Sequence, residues 1–220
     1  VCGRFTLTVG ERFLKQHFNV ANVDWDPSYN IAPTQDVLAV VHDGSSNRLG
    51  KMSWGLIPSW AKDESMRSKM INARLETADE KPSFKRLMAK RRCLILADSF
   101  YEWVKVDGEK KPVRIYPPNH DYFAFAGLWD RWQTAEGEEM VTCTILTKEA
   151  NDTLEPIHHR MPVILPREYE QDWIDFEAKE PSEIKEWVKA VSDIPLDYYE
   201  VSTYVNSPRN NDETCIERVE

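Results

Sequence analysis

A cysteine at the second position, in Val1-Cys2-Gly3-Arg4-Phe5, offers a chemistry that few other residues can. Once residue 1 is removed, Cys2 carries a free α-amine and a thiol on adjacent carbons. Such a 1,2-aminothiol condenses with an aldehyde and closes a five-membered thiazolidine ring. The amine titrates near pH ~8 and the thiol near ~8.5 in unperturbed peptides, so near neutral pH a useful fraction of each is nucleophilic. The competing reading of Cys2 is a small apolar side chain in a tied-down N-terminal strand. Two further places bear on the choice. In Phe100-Tyr101-Glu102-Trp103-Val104-Lys105-Val106 the period-2 alternation puts Glu102 on one face with Phe100 and Val104. A carboxylate between apolar neighbours is either paired or has a raised pKa, the condition for a proton shuttle; the alternative is an edge-strand glutamate facing water. In Leu154-Glu155-Pro156-Ile157-His158-His159-Arg160-Met161-Pro162 two histidines and an arginine break an apolar run. Read as a strand, this segment points the two histidines to opposite faces, so at most one serves a given site.

The elements that must position these residues are short. Thr8 and Glu11 match a capping box, with Phe13, Leu14, His17 and Phe18 at helical spacing behind them. Ser28 to Thr34, including Asn30 and Pro33, reads as a loop before the strand Val37–Val41. A polar tip at Asp43–Asn47 then turns the chain into a second strand near Lys51–Trp54. Gly55 and Pro58 keep Trp54–Trp60 out of helix and central strand. Trp54 is expected in the core, and Trp60 either in the core or on an aromatic platform for stacked bases. Asn72-Ala73-Arg74-Leu75-Glu76-Thr77 has four polar side chains in six positions and no strong periodicity, a poor core and a plausible site. A helix is expected over Ser83–Arg91 behind Pro82, then a strand Cys93–Ala97 and a hairpin turning at Asp107-Gly108. Strands follow at Tyr122–Leu128 and Met140–Leu146, helices near Glu168–Phe176 and Glu183–Val191, and a strand near Tyr199–Tyr204. The polar tail, residues 206–220, reads as disordered.

With 220 residues, 41% hydrophobic and 30% charged, and no linker-like stretch, the chain reads as one soluble domain with ample core. No apolar run approaches the ~18 residues of a membrane span, and no signal peptide is recognisable, so a cytoplasmic protein with reduced thiols is expected. Cys2, Cys93, Cys143 and Cys215 form no C-x-x-C pair, and no histidine or carboxylate stands at metal-ligand spacing; neither metal nor cofactor is expected. The net charge of −9 argues against a nucleic-acid partner until its distribution is read. Residues 1–118 hold 19 Lys/Arg against 14 Asp/Glu, and residues 119–220 hold 9 against 23, which permits a basic face on an acidic protein. The densest cluster is Lys81, Lys85, Arg86, Lys90, Arg91 and Arg92, whose plainer reading is a solvated helix face.

Six stretches then coincide: Cys2-Gly3-Arg4-Phe5, Tyr29-Asn30-Ile31-Ala32-Pro33-Thr34, Trp54-Gly55-Leu56-Ile57-Pro58 with Trp60, Asn72–Thr77, and the pair Phe100-Tyr101-Glu102-Trp103 and His158-His159-Arg160-Met161-Pro162. In order and spacing they resemble the SOS-response-associated peptidase family, which includes abasic-site processing proteins. The resemblance implies a single α+β domain with a curved, barrel-like β core flanked by short helices, monomeric, binding single-stranded DNA in a basic groove. It implies capture of the abasic-site aldehyde as a thiazolidine DNA–protein crosslink, a lyase-like activity, in the bacterial cytoplasm. By motif, Cys2 is the nucleophile, Asn72 holds the N-terminal residue, Glu102 moves protons and His158 assists the Schiff-base stage. Arg4, Arg74 and Arg160 would contact phosphates, and Asn30, Pro33, Thr34 and Trp60 would line the DNA path. Val1 stands where the family has an initiator methionine, and its removal is a condition of the chemistry. Two other readings compete: an autopeptidase or amidohydrolase using Cys2, Asn72 and Glu102, and a single-strand-binding module with a structural Cys2.

Overall fold

The apolar runs and alternations become thirteen strands and five short helices in the computed structural model, which describes residues 1–220. In chain order these are β1 (Phe5–Leu7), α1 (Glu11–Phe18), β2 (Ser28–Ile31), β3 (Asp36–His42), β4 (Asn47–Trp54), β5 (Asn72–Arg74), α2 (Leu75–Ala78), α3 (Lys85–Lys90), β6 (Arg92–Ala97), β7 (Ser99–Val106), β8 (Glu109–Tyr116), β9 (Phe123–Gln133), β10 (Glu139–Glu149), β11 (Arg160–Pro162), β12 (Ile164–Leu165), α4 (Arg167–Trp173), α5 (Pro181–Ala190) and β13 (Asp197–Glu200). Five of them close on themselves. β3 pairs with β4 and β6, β6 with β9, β9 with β10, and β10 with β4 in parallel, so the ring β3-β4-β10-β9-β6 is a small mixed barrel. A barrel this narrow is filled by its own side chains. Trp54, Cys93, Ile95, Phe125, Cys143 and Ile145 share its inner face and are all buried. Gly127 marks the tightest place: a Cβ there would lie 2.8 Å from Ile95 Cδ1 and 2.9 Å from Cys93 Sγ.

A second sheet, ordered β13-β8-β7-β1-β2, folds against this barrel. Its β7–β8 hairpin turns at Asp107-Gly108, both at positive φ (49° and 83°), the conformation that a two-residue hairpin turn needs. The first strand of the chain is therefore interior to a sheet. Phe5 of β1 packs its ring 5.1 Å from Trp54 and 5.4 Å from Phe125, which joins the two sheets.

Several elements differ from the sequence expectations for local reasons. Thr8 does not cap α1, whose N-cap is Gly10. Its N–H and hydroxyl instead donate to Asp98 Oδ2 at 2.7 and 2.6 Å, a charged acceptor that outcompetes the helix terminus. Ser28–Ile31 is not a loop but pairs with β1. The helix behind Pro82 begins two residues late, at Lys85. β9 and β10 run on past the barrel to Gln133 and Glu139, because Trp132 and Arg131 continue their ladder opposite Met140 and Val141. Residues 206–220 are not a disordered tail. A 3-10 turn at Glu213–Ile216 buries Cys215, and Val201 bridges to Arg218. The polar composition is misleading here because the segment's hydrogen bonds go to the protein.

Asp98, at the joint between β6 and β7, also accepts a bond from the Thr6 hydroxyl, so one buried carboxylate fastens the middle of β1 and the residue that follows it. Asp98→Ala is expected to lower the free energy of unfolding by about 2–4 kcal/mol, the range for losing several bonds to one buried charge, as read from the urea midpoint.

Candidate active site

The β1–β7 ladder delivers Cys2 to the site. Phe5 lies opposite Phe100 and Thr6 opposite Ser99, and the Tyr101 N–H donates to the Arg4 carbonyl at 3.0 Å. Continued two residues, that register sets Gly3 across from Glu102. From the other side β5 runs parallel to β10, with Asn72 opposite Ile145. Asn72 Nδ2 donates to the Cys2 carbonyl at 3.4 Å and to the Ile71 carbonyl at 3.1 Å.

The side chains so assembled perturb one another through burial. Cys2 is fully buried, and its thiol is pushed well above the ordinary range, first by burial and then by the Glu102 carboxylate. The N-terminal ammonium and the Arg4 N–H act in the opposite sense. Glu102 is 7% exposed, and its Oε2 is buried without any hydrogen-bond partner. Burial pushes its pKa up to about 7, although the N-terminal ammonium pulls it down. His158 Nδ1 accepts the Arg160 N–H at 3.0 Å, which leaves Nε2 as the protonated nitrogen of the neutral ring. Burial first, then the N-terminal ammonium and His159, hold the His158 pKa below its usual value. The terminal amine thus acts on the thiol, the carboxylate and the imidazole together. The two histidine rings do not face opposite ways: they stack at 4.5 Å and 19°, since both lie in a turn that ends before β11 begins at Arg160.

The remaining residues divide into committed and free. Arg160 is buried and forks onto Glu76 at 2.9 and 3.1 Å, with Thr147 Oγ1 at 3.1 Å. Arg4 donates to Asn30 Oδ1 at 2.8 Å and to the carbonyls of Val205 and Asn206 at 2.7 and 2.9 Å. Asn30 is 1% exposed, and its Nδ2 serves the carbonyls of Val205, Ser207 and Asn210. The Arg4 guanidinium sits 5.5 Å from the Trp103 ring, and Trp103 Nε1 donates to Asn206 Oδ1 at 2.7 Å. Arg74, Thr34 and Trp60 are exposed, Trp60 to 59%, and Pro33 is half-buried. Trp54, by contrast, is wholly buried and donates to the Ile71 carbonyl at 3.0 Å. Gly55 makes the bend between these tryptophans, at φ +119° and with Arg67 2.8 Å from where a Cβ would be.

A model of the SOS response associated peptidase (SRAP) family matches residues 1–208. The chain belongs to the SRAP family. It is 46% identical over 222 residues to the abasic site processing protein YoqW of Bacillus subtilis, covering 99% of each chain, and 45% identical over 216 residues to YoaM of the same organism, covering 96% and 95%. The abasic site processing protein HMCES of Gallus gallus is 34% identical over 88% of this chain and 67% of its own. A crystal structure of a protein from Bacteroides thetaiotaomicron, 27% identical, superposes over the full length of both chains with a TM-score of 0.88. This SRAP chain is accordingly a single α+β domain on a curved, barrel-like β core. No helix in it is long and apolar enough to cross a membrane.

Sequence reasoning assigned no role to Glu76, Thr147, Trp103 or the segment after Val201, all of which hold arginines of the site. Glu76 and Trp103 stood inside the recognised motifs; Thr147 and the tail carried no signal.

A buried, unpartnered carboxylate costs this fold stability when it ionises. Its pKa of about 7 lies above the ordinary 4.5, so the folded state binds the proton more tightly than the unfolded one. The penalty is absent below pH 4.5, grows as pH rises and is complete above about pH 7. Glu102→Gln is therefore expected to be more stable than wild type by on the order of 2–3 kcal/mol at pH 8, with the gap closed at pH 4.5, in paired urea titrations.

Proposed function

We propose that this protein captures abasic sites in single-stranded DNA as a covalent thiazolidine crosslink through Cys2, after removal of Val1. The observation that carries this reading is that the Cys2 thiol, the Glu102 carboxylate and the half-buried His158 imidazole all feel the α-ammonium at the head of the chain, which is Val1's in this structure and becomes Cys2's once Val1 is removed. The names of the full-length relatives as abasic site processing proteins support it. In the ring-opened lesion the deoxyribose presents an aldehyde. The Cys2 amine adds to its carbon, the carbinolamine loses water to give an imine, and the thiol adds across the C=N bond. One C–N and one C–S bond form, the C=O bond is lost, and one water leaves.

Each step needs a proton moved, and the pKa values suit that traffic. The Glu102 carboxylate takes the proton from the ammonium, and the acid so formed returns it when hydroxide departs. His158 Nε2–H donates to the carbinolamine oxygen, and its depressed pKa keeps the ring neutral beside the amine. Asn72 holds the Cys2 carbonyl and so the direction of the amine. With Val1 attached, the Cys2 nitrogen is an amide and no imine forms. Arg74 and Trp60 are exposed at the rim and reach the strand; Arg160 and Arg4 have three N–H groups each engaged within the protein and contact phosphate with the two that remain.

Protein whose first residue is Cys2, confirmed by intact mass, is expected to shift single-stranded DNA bearing one abasic site on a denaturing gel. The adduct mass is protein plus DNA minus one water. Cys2→Ala gives no band. Capture by wild type accelerates from pH 6 to 8 with an inflection near 7, where Glu102 ionises. Glu102→Gln loses that inflection and slows capture by about 100-fold or more. A Cys2→Ala protein that still crosslinks, or a matured wild type that does not, refutes the reading.

A further inference from the structure

The basic run between Lys81 and Arg92 has no part in the chemistry at Cys2, and neither does a cleft of about 860 Å3 beside it; the two meet. Strand alternation along β9 sets Trp129 and Arg131 on the face of Phe125 and Gly127, at the end of the barrel, where they stand beside Ala39, Val41 and Val141. Trp129 lines the cleft with Lys90, Arg91, Arg131 and Phe176, and Glu177 is the one acid in the lining. The Arg91 and Arg131 guanidiniums stand 4.6 and 5.5 Å from the Trp129 ring, close enough for the indole to hold both cations.

Arg91 is short of an anion. Its Nη1 is buried with no hydrogen-bond partner. The nearest carboxylate, Asp130, is 4.0 Å away and already engaged: Oδ2 accepts from the Ser59 N–H at 2.9 Å and from Arg86 at 2.8 Å, and Oδ1 from the Arg131 N–H at 2.9 Å. Arg131 pairs with Glu139 at 2.9 Å, but on the exposed surface, where such a pair is weak and exchangeable. Phe176 is 59% exposed, its ring seated on Gly44, where a Cβ would come within 3.2 Å. An exposed ring held beside an undercompensated arginine matches the two halves of a nucleotide, a base face and a phosphate.

We propose that this cleft is a second contact site for single-stranded nucleic acid, taking nucleotides that flank the lesion, with phosphates on Arg91 and Lys90 and a base stacked on Phe176. The Trp54–Trp60 loop runs between the two places, since Trp54 Nε1 donates to the carbonyl of Ile71, the residue before Asn72. Asp130, next to Trp129, holds the Ser59 N–H, and Trp132 Nε1 donates to the Ala61 carbonyl at 2.8 Å. An acidic peptide would answer the cations but leave the ring unused. The place of the lesion rests on the capture reading; the binding of an undamaged strand does not.

The test uses Cys2→Ala protein, which forms no crosslink, and an undamaged fluorescent oligonucleotide of about 24 nucleotides, long enough to span both places. Anisotropy is read over a range of salt concentrations. Phe176→Ala, an exposed change that cannot disturb the core, is expected to weaken binding about tenfold without altering the salt slope. Lys90→Ala and Arg91→Ala are each expected to lower that slope by about one. Should Arg91→Ala fail to fold, Lys90→Ala and Phe176→Ala still decide. Wild-type affinity and slope in both of those would overturn the proposal. So would equal competition by poly-glutamate at matched charge, with Phe176→Ala without effect, which would make the cleft a site for acidic protein. With Cys2 restored, Phe176→Ala is expected to capture a short abasic oligonucleotide at the wild-type rate. A chain that captures nothing thus refutes the chemistry at Cys2 while leaving the cleft to be judged by its own binding data.

Discussion

A chain terminus is ordinarily its loosest part, with few contacts to hold it. Here the first strand lies between two others, with Phe5 wedged against Trp54 and Phe125, and with Thr6 and Thr8 fastened by Asp98. Everything else about the site depends on this. A thiol and amine at a free end would sample all directions; a terminus embedded in a sheet meets Glu102 and Asn72 at a fixed register. The conformational entropy is spent at folding rather than at reaction, which is what proximity in catalysis requires.

Burial then sets the chemistry of the groups that the register collects. The same loss of solvent raises the Glu102 carboxyl and the Cys2 thiol and lowers His158, so each is displaced toward its neutral form. The terminal ammonium works against the shifts in the two acids and reinforces the shift in the base. A carboxyl with an unpartnered oxygen and a pKa of about 7 is poised between its two forms at neutral pH.

The arginines show a different economy. Arg160 and Arg4 are tied by three bonds each to Glu76 and Thr147 in one case, and to Asn30 and two tail carbonyls in the other. A planar guanidinium with some of its donors anchored keeps the others aimed, so fixing an arginine internally does not remove it from ligand binding. Asn30 is the clearest reassignment. Its amide is consumed by the last segment of the chain, which makes it a clasp between strand β2 and the C-terminus. Arg91 is the inverse case: half-buried and stacked on Trp129, with its Nη1 unpartnered and its nearest carboxylate, Asp130, taken by other donors.

Much of this was legible in the residues themselves. The hairpins at Asp43–Asn47 and Asp107-Gly108 and the buried run Cys93–Ala97 follow from alternation and turn chemistry, which act over a few residues, whereas alternation left Glu102 either buried or facing water. The family motifs placed Cys2, Asn72, Glu102 and His158 in one site before any geometry was known. What local pattern could not reach was pairing over long separations. That Thr8 serves Asp98 rather than a helix, that β3-β4-β10-β9-β6 closes into a barrel, and that a polar tail folds back onto Arg4 are each decided by a partner ninety or more residues away or by a ring of strands closing. The sequence by itself determined which side chains were available for the chemistry and their local alternation along each strand. Only the tertiary structure decided their protonation and which of their donors remain free, because desolvation and hydrogen-bond competition are properties of the packed neighbourhood and not of the chain.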